Sequence, residues 1–99
     1  MNAQRRNVRT RDFRERFDRL DERIQKLAIA AFELFLHNPA HPSLHHHALD
    51  DLKRGQHRPG SFAVAITKQY RAIYVVDGET NVWYWIGTHN DYNTFTGRK

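Results

Sequence analysis

The chain has 99 residues. That is enough for one core built of a sheet and a few helices, and too few for a cofactor domain beside a substrate domain. Sixteen Lys and Arg against eleven Asp and Glu give a net charge of +5, and most of the cations are Arg, which pairs bidentately with phosphate. With no cysteine, disulfide frameworks and thiolate metal sites are excluded, and a cytoplasmic location is the expectation.

The longest apolar stretch, Leu27 to Leu36, is interrupted by Glu33 and is too short to span a bilayer, so no membrane partner is expected. Met1 to Thr10 is basic, but no apolar segment with a small-residue cleavage site follows it. A hydrophobic content of 39% with 12% aromatics supports a packed core, so the negative mean hydropathy reflects a charged surface.

Residues 1–9 are polar and basic and read as an arm or a short edge strand near Asn7–Thr10. From Asp12 onward, Phe13, Phe17, Leu20, Ile24, Leu27, Ala31 and Leu34/Phe35 recur at helical steps of three or four. Asp12 with Glu15 resembles a capping box, and Asp21 is a second cap candidate. The expectation is two helices, 12–20 and 22–37, the second ended by Asn38-Pro39 because the residue before proline is pushed out of the α region.

Residues 38–60 form a connector with all three prolines and five of the seven histidines, anchored by Leu44, Leu49 and Leu52. Long connectors of this kind are often functional. The last forty residues read as β. Phe62, Val64 and Ile66 alternate with Ala63, Ala65 and Thr67, and a Lys68-Gln69 turn leads into Tyr70–Val76. Asp77-Gly78 opens the next hairpin. In Val82–Ile86, alternation sets Trp83 and Trp85 on one face and Val82, Tyr84 and Ile86 on the other. Thr88 is a cap candidate for a short terminal helix or turn reaching Phe95. The predicted architecture is α+β: two N-terminal helices packed on an antiparallel meander, residues 1–99 forming a single domain.

Several residues in this frame carry chemistry. His45, His46 and His47 are consecutive and point in different directions, and Pro39 interrupts the His37/His41 spacing, so a solvated histidine cluster is favoured over a metal site. His89 follows a buried-looking strand and the Gly87 hinge; it is either a capping histidine or a proton donor and acceptor near neutral pH. Arg71 interrupts an apolar strand on the same face as Ile73 and Val75. It is either one half of a cross-sheet ion pair or a guanidinium fork for phosphate. Lys53, Arg54, His57 and Arg58, with Lys68 and Arg71, form a basic set near Tyr70 and Tyr92, the charge-plus-ring equipment that suits single-stranded RNA.

The run from Leu27 to Tyr92 resembles the RelE/ParE toxin superfamily of bacterial toxin–antitoxin systems. The matching segments are F-x-L-F-L-H-N-P (Phe32 to Pro39), H-P-S-L (His41 to Leu44), Leu49, I-T-K-Q-Y-R-A-I-Y (Ile66 to Tyr74) and W-I-G-T-H-N-D-Y (Trp85 to Tyr92). The resemblance implies a ribosome-dependent mRNA endonuclease, neutralised by a cognate antitoxin and using neither a metal nor another cofactor. In such enzymes the ribose 2′-OH attacks the adjacent phosphate. Arg71 matches the strand arginine that stabilises the phosphate, His89 a histidine that protonates the 5′-oxygen, and His47 a second histidine that acts as base. Tyr92 or Phe95 would stack on a base or position the phosphate, with Lys68, Arg58 and Tyr70 as further substrate contacts. One departure stands out: the first meander strand has Ala63 and Ala65 where family nucleases commonly carry cations. The superfamily also contains gyrase-poisoning toxins that are not nucleases, so a non-nucleolytic binding protein is the alternative.

Overall fold

A computed structural model describes residues 5–50 and 55–97. Its order is β1 (Arg6–Arg9), α1 (Arg11–Asp18), α2 (Glu22–His37), a single 3-10 turn (Pro42–Leu44), β2 (His47–Ala48), β3 (Ser61–Thr67), β4 (Tyr70–Asp77), β5 (Thr80–Thr88) and α3 (His89–Phe95). The five strands form one sheet in the order β1-β5-β4-β3-β2. All pairings are antiparallel except β1 with β5, which is parallel, Val8 lying opposite Val82. The α+β class, the two helices before a meander, the N-terminal strand and the C-terminal helix agree with the sequence reading.

Helix boundaries follow the caps. The Asp21 carboxylate accepts from Ile24 N at 3.0 Å and starts α2, and the Thr88 hydroxyl accepts from Asp91 N at 3.1 Å and starts α3. For α1 the expected capping box is corrected. Thr10 is the cap, accepting from Phe13 N at 3.1 Å, while Glu15 pairs with Arg11 one turn back. Thr10 is extended at the end of β1, so its oxygen already faces the unsatisfied amides of the first turn.

The sheet separates two apolar layers. On one face, Phe13 of α1 and Phe35 of α2 meet Val64, Ala72, Tyr74, Trp83 and Ile86. On the other, Tyr92 of α3 and Leu49 meet Ala63, Ile73, Tyr84 and Trp85. The expected alternation along β5 fails. Ile73 pairs with Trp85 and Tyr74 with Trp83, so Tyr84 is an extra residue in the ladder. This bulge turns Tyr84 and Trp85 to the same face and sends Trp83 to the opposite one. Each layer thereby receives one indole. Leu44 and Leu49 anchor the connector as expected, whereas Leu52, Lys53 and Arg54 lie outside the described residues.

β1 is fastened by a polar knot. Asn7 Oδ1 accepts from Trp83 Nε1 at 2.9 Å and from Asn81 Nδ2 at 3.2 Å, and Arg5 Nε donates to Asn81 Oδ1 at 2.8 Å. Asn81 is buried, and these bonds satisfy amide groups that would otherwise be stranded there.

Candidate functional site

The face covered by α3 carries the site. Arg71 on β4 lies opposite Ala65 on β3 and Gly87 on β5, so these three form one row across the sheet. The neighbouring row runs from His47 through Ala63 and Ile73 to Trp85. Gly87 and the alanines keep side-chain bulk off this surface and leave room for α3 to cross it.

The β3–β4 turn organises two of the candidates. Arg71 Nη1 donates to the carbonyls of Thr67 (2.6 Å) and Tyr70 (3.0 Å), while Gln69 O accepts from the backbone N–H of His89 at 2.7 Å. One turn therefore fixes both the base of the guanidinium and the first residue of α3. Burial lowers the Arg71 pKa from its ordinary value, a shift opposed by nearby Tyr92. Arg71 makes no cross-sheet ion pair among the described residues. Among the described residues, the ion pairs are Arg11–Glu15 and Lys26–Glu22, both on helix surfaces.

Tyr92 stands at the centre. It is only 1% exposed. Its ring stacks on His89 at a centroid distance of 5.9 Å and an interplanar angle of 20°. Its hydroxyl lies 3.3 Å from His47 Nε2. His47 Nδ1 is 2.6 Å from the carbonyl of His45, and since a carbonyl only accepts, that nitrogen carries the proton. Nε2 then keeps its lone pair and faces the Tyr92 hydroxyl. His45 holds this geometry with a left-handed backbone, φ 45°, which is uncommon for a residue with a side chain.

The structure thus gathers Arg71, His89, His47 and Tyr92 on one face. It places the other sequence candidates as follows. Lys68 is exposed in the turn that Arg71 binds. Tyr70 is half-buried, and strand alternation directs it to the opposite face from Arg71. Arg58 lies 4.8 Å above the Tyr84 ring, beside the start of β3 and the middle of β5, away from the Arg71 end of the sheet. Phe95 stacks on Trp85 at 5.2 Å and serves the packing of α3. Tyr92 too is committed to packing, so no open ring is offered there for base stacking. The signal missed in the sequence is the His47–Tyr92 contact, which joins positions 45 residues apart.

No group of three or more metal-ligating side chains occurs among the described residues. His37 Nδ1 is bound to the Glu33 carbonyl at 2.8 Å and His41 Nδ1 to Ser43 Oγ at 2.9 Å, so each is engaged locally. A cleft of about 450 Å³ lies on the helix-covered face, lined by Phe13, Phe17, Ala28, Phe32 and Trp83; it is separate from the histidine and arginine cluster.

No protein-family model matches the chain, and no curated protein matches it. Solved structures do. Against the DinJ–YafQ toxin–antitoxin complex of E. coli the TM-score is 0.69 at 14% identity, over 90% of this chain and 97% of the other. Against the YoeB/ParE toxin from Agrobacterium tumefaciens it is 0.64 at 18% identity, over 85% and 98%. Against the RelBE2 toxin–antitoxin complex from Mycobacterium tuberculosis it is 0.58 at 20% identity, over 88% and 100%. At these identities the likeness is one of fold, and it is the RelE/ParE-like fold that the sequence motifs anticipate.

Proposed function

We propose that this chain, built on the fold of RelE/ParE-like toxins, is the toxin of a type II toxin–antitoxin pair and cleaves mRNA on the ribosome. The observation that carries the reading is the convergence of Arg71, His89 and His47 around buried Tyr92. Two imidazoles and a guanidinium can supply the base, the acid and the positive charge that phosphodiester transesterification uses.

In this reading the ribose 2′-OH displaces the Tyr92 hydroxyl, a long 3.3 Å contact, from the exposed His47, and Nε2 takes its proton. The freed oxygen attacks the adjacent phosphorus, the 5′-oxygen bond breaks, and a protonated His89 delivers a proton to the departing oxygen. The products are a 2′,3′-cyclic phosphate and a 5′-hydroxyl. Arg71 stabilises the charge that builds on the non-bridging oxygens, and its backbone tether to the turn limits reorganisation as the reaction proceeds. Lys68, exposed in the same turn, adds attraction for the RNA backbone. The partner that neutralises such a toxin is a cognate antitoxin, and two of the structural neighbours are toxin–antitoxin complexes.

A specific observation also favours the non-nucleolytic alternative, a gyrase-poisoning or antitoxin-binding protein. Ala63 and Ala65 are buried, so β3 brings no cation to the site. Induced expression followed by primer extension on ribosome-bound mRNA separates the two. Translation arrest with new mRNA ends, lost in His89→Ala and Arg71→Ala, is expected; arrest without new ends sinks the nuclease reading.

A further inference from the structure

β2 is only two residues long, and the consecutive histidines at its start serve opposite faces of the sheet. His47 reaches Tyr92 under α3. His46 turns the other way, into the aromatic layer beneath α2. There its Nε2 lies 2.7 Å from the Tyr74 hydroxyl. Its ring is 5.4 Å from that of Phe35, 5.5 Å from Phe62 and 5.8 Å from Tyr74. Its remaining polar contact is the backbone at Pro39. In the neutral tautomer with the proton on Nδ1, Nε2 is the acceptor and the Tyr74 O–H the donor.

This arrangement holds for a neutral ring. Once charged, His46 presents N–H at both nitrogens, and the Tyr74 hydroxyl loses its acceptor among hydrocarbon neighbours. The backbone at Pro39 favours the charged ring, but burial outweighs it and no facing side chain adds to it. Phe35 from α2 and Phe62 from β3 are uncharged, and Tyr74 from β4 is protonated. Neighbouring His47 on the same segment repels a second positive charge. Arg5 acts electrostatically on Tyr74 and is itself cationic.

We infer that His46 is a positioning residue for His47: its clamp on Tyr74 sets the register of β2, holds His47 against Tyr92, and releases when His46 is protonated. The geometry supports this because β2 has few other restraints. It pairs only with β3, through His47–Ala63 and Ala48–Phe62. The residue before the clamp, His45, is already in a left-handed conformation. A shift of the His46 ring is transmitted through one peptide unit to the His47 backbone. The inference rests on His47 having the catalytic part proposed above, but the contact itself is tested without any cleavage.

The test is histidine side-chain NMR on the full chain between pH 5 and 8, with nuclear Overhauser contacts between the His47 and Tyr92 rings. In the wild type the His47 resonances should show a second inflection that coincides with titration of His46, and the ring contact should weaken at acid pH. In Tyr74→Phe the second inflection should vanish and the contact should fall at least about twofold at neutral pH, as expected for loss of one hydrogen bond. His46→Gln provides a second variant, keeping a polar side chain without the titration, and should also lose the inflection. A His47 titration and ring contact unchanged in either folded variant overturns the inference. If ribosome-dependent cleavage is present, Tyr74→Phe should lower kcat about fivefold with KM nearly unchanged and shift the acid limb of the profile. Absence of cleavage in the wild type would instead defeat the nuclease reading and leave the NMR result standing.

Discussion

The Tyr92 hydroxyl lies 3.3 Å from His47 Nε2 while the same ring stacks on His89, so one buried side chain touches both imidazoles. Tyr92→Phe keeps the stack and removes the hydroxyl. If His47 is the base, cleavage should fall by about fivefold to tenfold, the worth of one hydrogen bond, with no change in the fold. Tyr92→Ala should do more, since it empties part of the α3 layer; about 3 kcal/mol of stability should be lost. Primer-extension rates and urea denaturation separate the two effects. A cleavage rate in Tyr92→Phe equal to that of the wild type would show that the hydroxyl is irrelevant.

Arg71 has two duties that substitution can divide. Its Nη1 ties down the β3–β4 turn, and its charge faces the site. Arg71→Ala should cost about 1 kcal/mol of stability. It should reduce cleavage by about a hundredfold or more, as for loss of a preorganised charge in a transition state. Arg71→Lys should recover little of the rate, because a single ammonium cannot bridge two carbonyls and a phosphate. Full activity in Arg71→Lys, measured under the same conditions, would contradict this division.

Stability should fall on both sides of neutrality because of the same aromatic layer. Burial pushes the Tyr74 hydroxyl up to about 12, while the unfolded chain ionises near its ordinary 10.0. A raised folded value means that the Tyr74 contribution is complete below pH 10 and is lost as pH climbs toward 12. His46 runs the opposite way. Burial, chiefly, lowers its value from 6.5, so its contribution is complete above pH 6.5 and is lost as pH falls below that. Urea midpoints measured from pH 5 to 11 should decline at both ends. Tyr74→Phe should flatten the alkaline limb and His46→Gln the acid limb; unchanged limbs would exclude these groups as the cause.

Gly87 is required by its neighbour. A Cβ at this position would lie 2.8 Å from Cη2 and 3.0 Å from Cζ2 of Trp85. That indole is buried and stacked on Phe95, so it cannot yield without moving α3. Gly87→Ala should destabilise by about 1–3 kcal/mol through overpacking and displace His89 with the helix. Thermal unfolding and the His89 NMR signals provide the measurement. A stable variant with an undisturbed His89 would refute it.

Legibility from sequence followed the range of the interactions. α2 was plain because its cap, its apolar spacing and its proline stop are all local. The three meander strands were equally plain from composition and turns. The start of α1 is not legible because Asp12 and Thr10 are both competent caps, and the choice depends on the direction in which β1 enters. The faces of Trp83 and Trp85 are not legible because a bulge at Tyr84 has no residue signature; it is set by how β4 and β5 fit their layers. Arg71 and His89 stood out by their settings in a strand and after one. Burial of Tyr92 did not, since only the return of α3 over the sheet encloses it.

The parallel pairing of β1 with β5 also bears on how the chain is made. Val8 finds its partner at Val82, 74 residues later, so closing this edge means closing a loop of most of the protein. The helices and the β3–β4 hairpin can form while synthesis proceeds, but α1 cannot gain its seat against β5 until that strand has emerged. The Tyr92–His47 contact waits later still. A nascent chain therefore passes through the ribosome without its assembled cluster and acquires it only after the final helix is free.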